Sequence, residues 1–161
     1  MNTIVAPSRG YSSYSYIKQA LARFQSNHPD AERTVILYLG DHDPSGLDMT
    51  RDLQRRFNDY GQGDVELKRV ALNFDQVRQF NLLPAPTKIT DSRAAGYIAE
   101  FGDVCYELDA LDPDELVRLV SEGVEAEITD WDAWDEIKER DEKERGEIKL
   151  TIEDLKKKYR E

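Results

Sequence analysis

Asp41 and Asp43 stand one residue apart where an apolar run ends, in Thr34-Val-Ile-Leu-Tyr-Leu-Gly-Asp-His-Asp-Pro-Ser-Gly46. Side chains two apart on an extended chain point the same way, so this pair can converge on one cation. With no soft ligand nearby, two carboxylates suit Mg²⁺, or Mn²⁺, which takes oxygen ligands and keeps waters for phosphate oxygens. The same residues carry a second reading. Asp43 before Pro44 is a good helix N-cap, and Asp41 can close an Asx-turn. His42 points to the other side and reads as a packing or turn residue.

Other segments hold polar groups of interest. Arg9-Gly-Tyr-Ser12-Ser13 leads into a helix, where free amides with Arg9 and Ser12 can hold a phosphate, or where a serine simply caps the helix. Thr87-Lys88-Ile-Thr-Asp91-Ser-Arg93 combines hydroxyls with two cations, Lys88 and Arg93. It fits either backbone contact to nucleic acid or a solvated loop pinned by Asp91 and Arg93. Glu107 and Asp109 repeat the strand-end carboxylate theme. Tyr11, Tyr14 and Tyr16 have no base beside them and read as packing and surface residues. Arg51, Arg55 and Arg56 read as a solvated helix face.

The elements that must position these groups follow from periodicity. Thr3 to Ala6 and Val35 to Leu39 read as strands, with a helix from Ser12 or Ser13 to about Ser26 between them. Its stripe is Ile17, Ala20, Leu21 and Phe24. A second helix is expected from about Ser45 to Tyr60, a third strand over Val65–Leu72, and a short helix over Asn73–Phe80. Leu82 to Gly96 reads as a long irregular stretch, of the kind that is often functional. Val104–Leu108 reads as a fourth strand, with Glu107 and Asp109 on one face. Asp112-Pro113 starts a helix that reaches Ile128. Strands alternating with helices of this length imply a parallel sheet with right-handed crossovers.

The chain has 161 residues, one cysteine and a net charge of -11. A disulfide framework and a multi-cysteine zinc site are excluded. No apolar run approaches the roughly 20 residues that cross a bilayer, and no leader pattern stands at the start, so a cytoplasmic setting is expected. Residues 112–161 hold 18 acidic and 10 basic side chains, most of the excess. An acidic chain is a poor general polyanion binder, so any nucleic-acid contact must use local cations or bound metal. Trp131, Trp134 and Ile137 give the charged tail an apolar edge that fits a core or interface anchor. Thr151 with Asp154 reads as a capping box for a last helix.

Gly40-Asp-His-Asp-Pro-Ser-Gly46 resembles the Toprim domain of topoisomerases, bacterial primases and related nucleases, closest in flavour to the archaeal type VI topoisomerase A subunit. Arg9–Ser13, Pro86–Arg93 and Glu107–Leu111 resemble segments of small phage and bacterial Toprim-like proteins. The resemblance covers roughly residues 1–128 and implies an α/β fold: a Rossmannoid parallel sheet of about four strands flanked by helices. Residues 129–161 are then a charged helical extension. It further implies Mg²⁺ on Asp41 and Asp43 and action on nucleic-acid phosphodiesters, DNA before RNA. A Toprim site would also hold a glutamate at the end of an earlier strand. Only Thr3–Ala6 and one helix precede Val35, so the domain reads as incomplete at its N-terminus, with weak or absent cleavage by this chain alone. Glu107 is the candidate substitute. The alternative is a non-catalytic Toprim-fold module that binds a protein partner, or dimerises, through the tail helices.

Overall fold

The computed structural model describes residues 5–7, 13–27, 29, 31–60, 64–87 and 91–159. The elements run α1 (Tyr14–Asn27), β1 (Arg33–Leu39), α2 (Pro44–Tyr60), β2 (Asp64–Ala71), α3 (Phe74–Gln79), β3 (Ala85–Pro86), α4 (Ala94–Phe101), β4 (Val104–Cys105), α5 (Pro113–Glu125) and α6 (Trp131–Lys158). They divide into two compact units, one over Pro7–Glu125 and the other holding Ala126–Glu161.

In the first unit β1 and β2 pair in parallel, Thr34 opposite Val65 and Tyr38 opposite Arg69, with a bulge before Leu39. Alternation along the strands decides which helix each residue meets. Ile36, Tyr38, Val65 and Leu67 pack with Ile17 and Leu21 of α1 and Leu53 and Phe57 of α2. The opposite face turns to α5, where a Cβ on Gly123 would come within 3.2 Å of Val70 and 3.4 Å of Leu37. Both faces of a parallel pair are thereby covered, in keeping with the near-continuous apolar run of β1, whereas β2 alternates with charge up to Arg69. The α1 stripe is inward as its spacing implies: Ile17, Ala20 and Leu21 are buried. Ser13 Oγ accepts from the Tyr16 amide and starts that helix.

Several expectations are corrected. The parallel sheet has two strands among the described residues, not about four. Thr3 and Ile4 lie outside the described residues, and Val5 and Ala6 are not in a strand. Val104–Cys105 pairs antiparallel with Ala85–Pro86 instead of joining the sheet. This strand stops at Cys105, followed by a single bridge from Tyr106 to His42 and a 3₁₀ turn at Leu108–Ala110. Glu107 therefore precedes this turn and Asp109 lies within it, and the two do not leave a strand on one face.

The stretch expected to be irregular to Gly96 contains the start of α4. This helix is short: Ala94 and Tyr97 are buried, Phe101 one turn on packs against His42 and Phe74, and Gly102 ends it at φ 92°, a conformation suited to glycine. Helix α5 ends at Glu125, short of Ile128.

In the second unit α6 is one helix. Asp130 Oδ1 accepts from the Ala133 amide at its start. Thr151 does not cap a separate helix: its hydroxyl donates to Glu147 O within α6. No α6 residue is buried, and Trp131 is 50% exposed. Among the described residues, no helix is long and apolar enough to cross a membrane.

Candidate metal centre

The turn from Gly40 to Gly46 carries the β1 chain into α2, at the carboxyl end of a parallel strand, where ligand sites of open α/β sheets lie. Asp43 Oδ1 accepts from the Gly46 amide, capping α2 with Pro44 in its first turn. Asp41 Oδ1 accepts from the Leu108 amide at 2.8 Å. Each carboxylate thus commits one oxygen to a backbone donor, which fixes its orientation. Among the described residues the second oxygen of each has no hydrogen-bond partner. The capping reading of Asp43 holds and leaves that oxygen available. Asp41 closes no local turn but reaches across to the 3₁₀ turn.

Gly46 is required by contact. A Cβ there would fall 2.2 Å from Asp41 O. Nothing larger lets the Asp41 backbone lie against the first turn of α2.

Arg69, unremarked in the sequence reading, organises this turn from behind. It projects from β2 opposite Tyr38, with its guanidinium 5.6 Å from that ring. Nε donates to Leu72 O at 3.0 Å. Nη1 donates to Gly46 O at 3.2 Å and Thr50 Oγ1 at 2.6 Å. Nη2 donates to Gly40 O at 2.7 Å and to Asp41 O. All five of its N–H groups are used, on five neutral acceptors. Burial pulls the guanidinium below its ordinary value, while Tyr38, Asp41 and Asp43 act the other way. Burial likewise raises the Tyr38 phenol, a rise Arg69 opposes. Little in the sequence signals it: Arg69 follows Lys68 in a strand that carries charge at Asp64 and Glu66 as well.

His42 fills the gap between the two aspartates and the α3–α4 side. It is 2% exposed. Its ring lies 4.8 Å from Phe101, 5.4 Å from Phe74 and 5.5 Å from Tyr97. Its Nδ1 sits 2.8 Å from the Tyr97 hydroxyl, which donates to His42 O at 2.9 Å. Burial, helped by Arg69, lowers the imidazole below its usual 6.5, and burial raises the Tyr97 phenol. It is the packing residue its spacing implied.

The 91–93 segment is drawn to the same end of β1. Ser45 Oγ donates to Asp91 Oδ2 at 2.9 Å. Arg93 pairs with Asp91 at 2.8 Å and with Asp48 of α2 at 3.1 Å. It ties the loop to α2. Arg9, Ser12 and Lys88 lie outside the described residues. Glu107 and Asp109 are exposed and flank Leu108, whose amide holds Asp41.

The chain matches no protein-family profile, no curated protein and no solved structure.

Among the described residues, no three His, Cys, Asp or Glu side chains form a ready metal cage. Asp41 and Asp43 are a pair, with Glu107 and Asp109 on the adjoining turn. A two-carboxylate site fits a cation that retains most of its waters, as Mg²⁺ does.

Proposed function

We propose that this protein is a Toprim-like protein in which Asp41 and Asp43 hold Mg²⁺ for work on nucleic-acid phosphodiesters. What supports this reading most is the state of the two carboxylates. Both stand at the carboxyl end of a parallel strand, each oriented by one backbone amide and each with a second oxygen that has no described partner. A cation there stabilises charge on a phosphate oxygen and lowers the pKa of a bound water. The fixed guanidinium of Arg69 adds positive charge behind the turn. DNA is the favoured substrate class. Cleavage by this chain alone is weak or absent, because among the described residues no strand precedes β1 to carry a Toprim-type glutamate. Incubation of supercoiled DNA with Mg²⁺ or Mn²⁺ tests the enzymatic part: slow nicking lost in Asp41→Ala supports it, and nicking that survives Asp41→Ala contradicts it.

One observation favours the second reading, a binding module. The 28 residues of α6 bury no side chain and expose Trp131, Ile137, Ile148 and Leu155. Such a surface suits a protein partner or a helix pair. Ile148→Lys with Leu155→Lys should abolish any association that α6 makes, read by light scattering.

A further inference from the structure

The two outer edges of the β1–β2 sheet are treated differently. On β2, side-chain amides occupy the backbone groups that face away from β1. Gln54 Nε2 donates to Val65 O at 3.0 Å, and Gln54 Oε1 accepts from the Leu67 amide at 2.7 Å. Asn73 Nδ2 donates to Arg69 O at 3.2 Å. This edge is sealed against a further strand.

On β1 the alternation is fixed by Gly40, which donates to Ala71 O and accepts from the Leu72 amide, both at 2.8 Å. Thr34, Ile36 and Tyr38 share that side with Gly40, and Val35, Leu37 and Leu39 turn their N–H and C=O groups outward. Among the described residues the only strand beside β1 is β2, and no side chain caps the outward groups. Thr34–Leu39 also contains no charge and no proline, the usual devices that protect an edge. Val35, Leu37 and Leu39 are only half-buried.

We propose that two copies of the chain join through this edge, β1 antiparallel to β1 about a two-fold axis at Leu37. Charge sets the direction and register. The strand starts at Arg33 and runs into Asp41, which lie equally far from Leu37. Antiparallel pairing centred there sets Arg33 of one copy, which also pairs with Glu66 of its own β2, opposite the metal-free Asp41 of the other, twice by symmetry. The same register sets Val35 opposite Leu39, both outward residues, and Ile36 opposite Tyr38. Parallel pairing would set like charges together. The product is a four-stranded sheet ordered β2-β1-β1-β2, a common size for a stable sheet. It ends on two edges that Gln54 and Asn73 have sealed, so assembly stops at two copies and does not continue into a fibre.

Sedimentation velocity of the full chain without added divalent cation, from low micromolar to submillimolar concentration, should give a concentration-dependent dimer. Leu37→Cys in a Cys105→Ser background should form a disulfide-linked dimer on mild oxidation, because the paired Cα atoms at the axis lie within bridging distance. Asp41→Arg and Arg33→Asp should each weaken the dimer about tenfold or more. The two variants mixed should form a heterodimer, since each restores the other's charge pairs, and circular dichroism checks that each is folded. A chain that stays monomeric throughout overturns the proposal. So does a dimer that ignores Asp41→Arg and leaves the Leu37→Cys thiol unlinked, which places the interface elsewhere.

Discussion

Gly46 and Gly146 stand in two regions that are built by different physics. Around Gly46 the Asp41–Gly46 turn is fixed from every side. Arg69 holds its carbonyls, Leu108 orients Asp41, and the Asp41 backbone fills the space a Cβ would need. Around Gly146 a Cβ would meet nothing within 4 Å. Helix α6 rests on local terms: the Asp130 cap, ion pairs such as Lys138–Asp135 at 3.5 Å, and three lysines in its last turn. The turn is specified by partners far away in sequence, and the helix by its neighbours one turn away. A geometry held so tightly at a strand end is what an ion site needs, since ligands must be oriented before the ion arrives.

The sharpest way to break the comparison is Arg69→Met. It removes five hydrogen bonds at once, leaving Gly40 O only the Leu72 amide and Gly46 O only donors on its own helix such as the Thr50 hydroxyl, and should cost about 4 kcal/mol in denaturant unfolding. A loss comparable to an ordinary surface substitution would show that the turn does not depend on this clamp. Next is Gly46→Ala, which must push apart backbone and should cost about 3 kcal/mol. The same change at Gly146 should go the other way, stabilising α6 by about 1 kcal/mol through helix propensity alone. Equal effects at the two glycines would erase the distinction drawn between the regions.

The smallest effect is a pH slope. Burial holds the His42 imidazole below its ordinary 6.5, so the unfolded chain binds the extra proton first. Its contribution to stability is full above that value and declines as pH falls through the window down to the lowered folded value. His42→Gln should flatten this slope in unfolding curves taken from neutral to mildly acidic pH. An unchanged slope would mean that other groups carry it.

Much of the turn was legible in sequence because its logic is local. An apolar run, two aspartates, Pro44 and Gly46 give a strand, a cap and a helix start at adjacent positions, and the structure places them so. The stripe of α1 and the Asp112-Pro113 start of α5 were legible for the same reason. What was not legible depends on contacts between distant segments. Arg69 sits in a strand as one charge in an alternating pattern, and only the fold brings it under Gly40 and Asp41. The Leu108 amide reaches Asp41 across 67 positions. Helix α4 is only eight residues long, so its Ala94, Tyr97, Ile98 and Phe101 spacing covers too little chain to stand out beside the irregular stretch before it, and the pairing of Ala85–Pro86 with Val104–Cys105 has too few residues to form a pattern.

The central claim is that Asp41 and Asp43 hold a divalent cation. Calorimetric titration of the full chain with Mg²⁺ and with Mn²⁺ tests it most directly, alongside Asp41→Asn and Asp43→Asn. Each asparagine keeps an oxygen for its backbone amide and removes only the charge. The account predicts a single site at millimolar or tighter affinity, weakened about tenfold or more in either variant. No binding at millimolar metal, or binding that both variants retain, would contradict it.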